Sequence, residues 1–149
     1  MHVDIERKFL VHGEGCRVGQ GEHYRQGYIC TGEGNTVRVR LGARKAWLTI
    51  KGPTQGAGGS EFEMNIPLED AEGLLRLCGE RVVEKRRYFI AYEGMCWVAD
   101  EFLGRNAGLV VAELELERED QPFERPDWLG REVSGERRFS NASLASRPY

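Results

Sequence analysis

Six segments of this 149-residue chain alternate charged side chains with apolar ones, and this pattern constrains the fold more than any other feature of the sequence. Successive side chains of a β-strand point to opposite faces, so alternation over short segments predicts strands with one charged and one apolar face. In residues 3–11, Asp4, Glu6 and Lys8 share one face, and the other face is mostly apolar. Such a row is costly to bury in a dry core but suits a wall around water, a metal and an anion.

The sequence predicts seven or eight short strands and two or three helices, which is typical of an antiparallel sheet or barrel. We expect strands at residues 3–11, 23–30, 36–41, 46–51, 61–66, 82–91, 96–102 and 110–118. Apolar residues at helical spacing before Gly79 predict a helix over residues 68–78. Shorter helical segments are expected near 126–131 and 141–145. The length predicts one domain, residues 1–149.

The charges are sorted by sign within strands, as in Arg38 with Arg40 and Glu113 with Glu115. One interpretation is the ordinary solvated face of an antiparallel sheet. The other is that helices cover the apolar face and the sheet closes around the charged one. A closed interior of this kind must hold water, ions and a charged ligand, because burying unpaired ions costs several kcal/mol each.

The types of charge indicate which ligand such an interior would bind. Lysine and arginine bind phosphoryl oxygens, and carboxylates without histidine or cysteine partners favour Mg²⁺ or Mn²⁺. A site that combines the two suits a triphosphate with its metal. The chain has no Gly-x-x-x-x-Gly-Lys-[Ser/Thr] loop, so the phosphates would not be held by a P-loop.

Composition excludes several other classes of protein. The net charge of −3 argues against binding nucleic acid through bulk positive charge. No apolar run approaches the length of a membrane span, and no secretory signal is evident. The four cysteines have no CxxC spacing, so we expect free thiols in a reducing cytoplasm.

Motifs along nearly the whole chain resemble the CYTH superfamily, also called triphosphate tunnel metalloenzymes. They are Asp4-x-Glu6-x-Lys8, Gln26-Gly27-Tyr28, Thr36-Val37-Arg38-Val39-Arg40, Leu48-Thr49-Ile50-Lys51-Gly52, Glu61-Phe62-Glu63, Glu84-Lys85-Arg86-Arg87-Tyr88, Trp97-x-x-Asp100, Ala112-Glu113-Leu114-Glu115-Leu116 and Ser140-Asn141-Ala142-x-Leu144-Ala145. The resemblance implies a mainly β, α+β fold, in which eight antiparallel strands form a closed barrel with a few helices packed outside.

The resemblance also implies roles for the charged residues. Those expected to bind the phosphates are Arg38, Arg40, Lys51, Lys85 and Arg87. Those expected to face metal are Asp4, Glu6, Glu113 and Glu115, with Glu61, Glu63 and Asp100 supporting them or binding a second ion. Lys8 and Tyr28 occupy the positions of a catalytic dyad. Asp4 departs from the usual glutamate, and because its side chain is one methylene shorter, we expect its contact with the metal to be mediated by water. We also expect residues 134–138 to close one tunnel mouth, with Arg138 near the phosphates.

The leading functional hypothesis is hydrolysis of inorganic triphosphate to pyrophosphate and phosphate, with Mg²⁺ or Mn²⁺. Trp47 and Trp97 are expected in the outer core or in loops, which leaves no evident platform for a nucleobase. Alternatives are a class IV-type adenylate cyclase, a nucleoside or thiamine triphosphatase, and a module that binds polyphosphate or nucleotide without turnover. A homodimer is left open.

Overall fold

The computed structural model describes residues 5–30, 34–52 and 61–149, and nine strands and two α-helices lie in these segments. The strands are β1 (Ile5–Val11), β2 (Glu22–Cys30), β3 (Thr36–Leu41), β4 (Ala46–Lys51), β5 (Glu61–Ile66), β6 (Val82–Tyr92), β7 (Met95–Phe102), β8 (Val110–Leu116) and β9 (Leu129–Glu132). The helices are α1 (Leu68–Cys78) and α2 (Asn141–Ser146), with 3₁₀ turns at Gly104–Asn106 and Arg137–Phe139. Neither α-helix has the length and apolar character needed to cross a bilayer.

All nine strands belong to one antiparallel sheet in the order β5-β4-β3-β2-β6-β7-β8-β1-β9. This confirms the mainly β antiparallel fold with few helices. The sheet curves so that β1 and β8 line the same cavity as β3 and β4. Its two edge strands, β5 and β9, are not paired with each other in the described residues, so the tunnel is a curved sheet with nine strands where eight were expected.

The predicted helix near residues 126–131 is wrong, because this segment contributes β9. Strand β9 pairs with β1 through Phe9↔Glu132 and Val11↔Leu129. A Cβ atom at Gly130 would lie 2.9 Å from the Leu10 carbonyl oxygen, so a glycine is needed where the two backbones approach. The pairing with β1 therefore makes this segment a strand, and the pattern of its four residues alone could not predict that pairing.

Helix α1 has the predicted bounds and covers the outer face of β2, β3 and β4. Its apolar stripe, including Ala71 and Leu75, packs with Val39 and neighbouring strand residues in one buried cluster. The contact is close, since a Cβ atom at Gly27 would lie 2.6 Å from the Cys78 Sγ atom.

A second outer cluster covers β1, β7 and β8. Trp97 is fully buried there, with its ring centroid 5.7 Å from those of Phe9, Phe123 and Trp128 in edge-to-face arrangements. The expected outward position of Trp97 is therefore confirmed, and the segment that follows β8 closes over this face of the sheet.

The third cluster lies on the inner face and fills one end of the tunnel. Val83 and Val111 belong to it and share strand faces with Lys85 and Glu113. Leu144 of α2 packs against them, and Ser140 caps α2 by accepting a hydrogen bond from the Ser143 backbone N–H. Unlike α1, helix α2 thus packs inside the curved sheet, where it closes one end and leaves the charged remainder open.

Candidate active site

A cavity of about 400 Å³ occupies the open part of the tunnel. Its lining residues come from β1, β2, β3, β4, β6, β8 and the start of α2. They are Glu6, Lys8, Gln26, Tyr28, Thr36, Arg38, Arg40, Lys51, Lys85, Arg87, Glu113, Ser140, Asn141 and Ala142. All five cations predicted to bind phosphates from the strand motifs are in this set, together with both members of the predicted dyad.

The two arginines of β3 carry donors that the protein leaves unpartnered. The Nε atoms of Arg38 and Arg40 are buried and have no hydrogen-bond acceptor in the described structure. Burial, and then the nearby charges of Arg38 and Arg87, lower the pKa of Arg40 below its ordinary value. Buried orphan donors among like charges are costly, so this wall is suited to an anion that supplies acceptors and negative charge.

Trp47 lies on this basic wall, which corrects the expectation that it would point outward or lie in a loop. It is directly opposite Arg40 in the β3–β4 register and shares a strand face with Lys51. The Arg40 Cζ atom is 4.7 Å from the Trp47 ring centroid.

Asp100 holds two of the cavity cations. Its two carboxylate oxygens accept hydrogen bonds from Arg87 Nε at 2.8 Å and Nη2 at 3.0 Å, and Lys85 Nζ lies 3.0 Å from Oδ2. Burial alone would raise the pKa of Asp100, but Lys85 and Arg87 outweigh it and hold the pKa below its ordinary value. This contact with two cations differs from both expected roles of Asp100, which were to support the metal-facing carboxylates or to bind a second ion.

The acidic wall is formed where β1 meets β8. Glu6 lies opposite Glu115, and Lys8 lies opposite Glu113 with Nζ and Oε1 3.5 Å apart. Desolvation in the wall, and then the charge of Glu113, raise the pKa of Glu6 to about 7. The crowding of carboxylates thus disfavours their joint ionisation unless a cation is added.

This wall fits a hard divalent ion that also contacts substrate. Within the described ranges, no cluster of three or more His, Cys, Asp or Glu side chains forms a complete metal site. Mg²⁺ typically takes one or two protein carboxylates and completes its coordination with phosphate oxygens and water. Glu6 and Glu113 could supply that pair, with Glu115 on the same strand face as Glu113.

The other predicted metal residues are less close to the cavity. Glu61 and Glu63 are exposed on β5 and do not line it, although Glu63 Oε2 accepts a hydrogen bond from Thr49 Oγ1 at 3.1 Å. Asp4 lies outside the described residues. Arg138 is exposed, stacks on Phe139 and does not line the cavity, so its expected place beside the phosphates is not found.

The predicted dyad residues share the cavity but have different partners. Lys8 Nζ contacts Glu113 and lies 3.4 Å from the Phe139 carbonyl oxygen. The Tyr28 hydroxyl accepts a hydrogen bond from Gln26 Nε2 at 2.7 Å, and burial raises the pKa of Tyr28. No hydrogen bond of the described segments joins Lys8 to Tyr28.

Two neutral residues escaped assignment from the sequence. Gln26 is buried beside Tyr28, and Asn141 Oδ1 accepts a hydrogen bond from Lys85 Nζ at 3.0 Å. Both lie in motifs given in the sequence analysis, Gln26-Gly27-Tyr28 and Ser140-Asn141. Roles were inferred there from the sign of each side chain's charge, and an uncharged amide has none.

A CYTH domain model matches residues 2–149. The chain belongs to the CYTH domain family. An inorganic triphosphatase of Acetivibrio thermocellus is 45% identical to this CYTH chain, with 100% of this chain and 97% of the relative covered. An inorganic triphosphatase of Nitrosomonas europaea is 33% identical, with 96% and 97% covered.

Solved structures agree with the fold of this CYTH protein. The crystal structure of an inorganic triphosphatase superposes with a TM-score of 0.74 at 32% identity, covering 97% of this chain and 95% of that one. A putative adenylate cyclase from Bacillus halodurans superposes with a TM-score of 0.59 at 19% identity, with 79% and 82% covered, and this likeness shows the fold alone.

Proposed function

We propose that this CYTH protein hydrolyses inorganic triphosphate to pyrophosphate and phosphate with the help of a divalent metal, Mg²⁺ or Mn²⁺. The observation that carries the proposal is one cavity with six cations on its walls and the carboxylates of Glu6 and Glu113 beside them. The inorganic triphosphatases at 45% and 33% identity, aligned over nearly the whole chain, support the same substrate.

The cations would hold the phosphate chain and stabilise the charge that develops on the leaving group. Phosphoryl transfer depends mainly on positioning and charge neutralisation, so fixed cations can supply much of the catalysis. Arg38 and Arg40 offer buried donors without partners, while Asp100 keeps Lys85 and Arg87 in place. Glu6 and Glu113 would hold the divalent ion, which when bound would supply positive charge that neutralises part of the charge on the phosphates.

Lys8 would orient the attacking water. Its ammonium lies next to Glu113, where the acidic wall meets the cavity. Tyr28 is protonated at neutral pH because burial raises its pKa, so we assign it a hydrogen-bonding role in place of proton abstraction. The water oxygen forms a bond to a terminal phosphorus and gives up a proton to a phosphoryl oxygen of the substrate. The bond from that phosphorus to the bridging oxygen breaks, and pyrophosphate leaves.

A comparison of substrates tests the proposal. Phosphate release would be measured with tripolyphosphate, ATP and thiamine triphosphate, first with Mg²⁺ and then with Mn²⁺. We expect the highest kcat/KM for tripolyphosphate. Preference for ATP or thiamine triphosphate would favour the nucleoside or thiamine triphosphatase, cyclic AMP formation would favour the cyclase, and binding without any release would favour the binding module.

Two variants test the division of the cavity into walls. Arg40→Ala should raise KM for tripolyphosphate, whereas Glu115→Ala should mainly reduce metal-dependent turnover. Activity equal to wild type in both variants would refute the assignment of these walls.

We further propose that residues 1–149 act as one domain in the cytoplasm. The described thiols of Cys16, Cys78 and Cys96 are unpaired, as suits a reducing compartment. A homodimer stays a prediction, to be tested by light scattering of the purified protein.

A further inference from the structure

The cavity cations differ in what holds them. Arg87 and Lys85 are paired with Asp100, and Lys8 is paired with Glu113. Within the described segments, Arg40 makes no ion pair or hydrogen bond, although it lines the same cavity. Something other than a carboxylate must therefore define the position of its guanidinium.

Two aromatic rings hold Arg40. Its Cζ atom is 4.7 Å from the Trp47 ring centroid and 5.4 Å from the Tyr24 ring centroid, both within the range of cation–π contacts. Trp47 belongs to β4 and Tyr24 to β2, the two strands that flank β3. The guanidinium thus receives one ring from the strand on each side.

This support leaves the hydrogen-bonding edge of Arg40 available. A ring attracts the face of a guanidinium, whereas a carboxylate takes its N–H groups, as Asp100 takes two of those of Arg87. The buried Nε atom of Arg40 correspondingly has no acceptor. A guanidinium fixed by its faces keeps its planar fork free for the paired oxygens of a phosphoryl group.

We propose that Tyr24 and Trp47 are positioning residues that hold Arg40 ready to bind the phosphate chain. The inference rests on the proposed triphosphate substrate and adds two residues for which neither motif nor charge gave a role. Because the rings act before and during binding alike, their loss should weaken substrate affinity and raise KM while leaving kcat nearly unchanged.

Paired variants of the full-length protein test this inference. In Trp47→Leu and Tyr24→Leu we expect KM for tripolyphosphate to rise about tenfold, with kcat within about threefold of wild type. Trp47→Phe and Tyr24→Phe keep a ring and should recover most of the affinity. Phe62→Leu removes an exposed ring from the outer face of β5 and serves as the matched control with unchanged kinetics.

A double-mutant cycle separates positioning from a general structural effect. In the Arg40→Ala background, Trp47→Leu should cause little additional loss, because the guanidinium that the ring holds is already absent. An equal loss in both backgrounds would overturn the inference. If Trp47→Leu lowers the melting temperature substantially, Tyr24→Leu and the two phenylalanine variants carry the same comparison.

Calorimetric titration with tripolyphosphate in the absence of metal keeps the two proposals distinguishable. If wild type binds tripolyphosphate in this titration but does not hydrolyse it once Mg²⁺ or Mn²⁺ is added, the proposed reaction fails, while weaker binding by both leucine variants still supports positioning. Unchanged affinity in both leucine variants overturns the positioning role even if hydrolysis is confirmed. A wild type that neither binds nor hydrolyses tripolyphosphate contradicts both proposals.

Discussion

Replacing Asp100 by asparagine should destabilise the fold without changing the metal requirement. Asp100 is 4% exposed, and its carboxylate is the shared partner of Lys85, which is 2% exposed, and Arg87. The substitution keeps the shape of the side chain but removes its charge, so the buried Lys85 and the partly buried Arg87 lose the ion that balances them.

The magnitude follows from this geometry. Removing one partner of a buried ion pair typically costs about 3 to 5 kcal/mol, because the remaining charge stays buried. We expect about 3 kcal/mol, since the asparagine oxygen still accepts one hydrogen bond and Asn141 still contacts Lys85. At roughly 2 to 4 °C per kcal/mol for a chain of this size, the melting temperature should fall by about 6 to 12 °C.

The pH dependence of this loss has a definite sign. Burial already lowers the pKa of Lys85, and losing Asp100 should lower it further. A lysine with a depressed pKa in the folded state loses its proton at a pH where the unfolded chain still holds one, so the stability deficit should shrink as the pH rises above neutrality.

The assay is thermal unfolding followed by circular dichroism, with turnover measured against metal concentration. Glu101→Gln is the matched control, because Glu101 lies next in the chain on the outer face and pairs with the partly exposed Arg17. We expect that control to cost less than about 1 kcal/mol. A melting temperature unchanged in Asp100→Asn, with a tenfold higher metal requirement, would refute the reasoning and support a metal-ligand role.

Two further predictions concern contacts other than the ion pairs of Asp100. Asn141→Leu removes an acceptor of the buried Lys85 ammonium, so KM for tripolyphosphate should rise several-fold, and Asn141→Asp, which keeps the oxygen, should recover affinity; equal losses in both variants would contradict this. Arg7 holds the pKa of Glu132 at about 2, below its ordinary 4.5, so the pair's stabilising effect is complete above pH 4.5 and disappears towards pH 2. In urea unfolding, the free energy of unfolding of wild type should therefore exceed that of Glu132→Gln by less than about 1 kcal/mol at pH 6 and equal it near pH 2. A difference that does not change with pH would contradict this prediction.

Alternation predicted most of the strands because it reports directly which face a side chain takes. It placed Arg38, Arg40 and Glu113 on the charged face, and the structure brings all three into one cavity. The helix over residues 68–78 was equally predictable, since its apolar stripe and the glycine that ends it are local features of the sequence.

Features that depend on partners distant in sequence could not be predicted from the sequence. Strand parity put Asp100 on the inner face, but only the register with Arg87 shows that cations occupy both of its oxygens. Trp47 alternates in phase with Lys51, so strand parity alone places it on the charged face. The prediction followed the general tendency of large aromatics to pack in the core instead, and it was wrong. Strand β9 depends on the close approach of its backbone to β1 at Gly130. A segment of four residues is too short to show an alternation that would predict this pairing.

The most direct test of the whole account is the product analysis of tripolyphosphate by phosphorus NMR. With catalytic amounts of protein and Mg²⁺ or Mn²⁺, we predict conversion to equal amounts of pyrophosphate and phosphate, and no conversion when the metal is removed by a chelator. Tripolyphosphate that stays intact with both metals, or is consumed equally fast after chelation, would contradict the account.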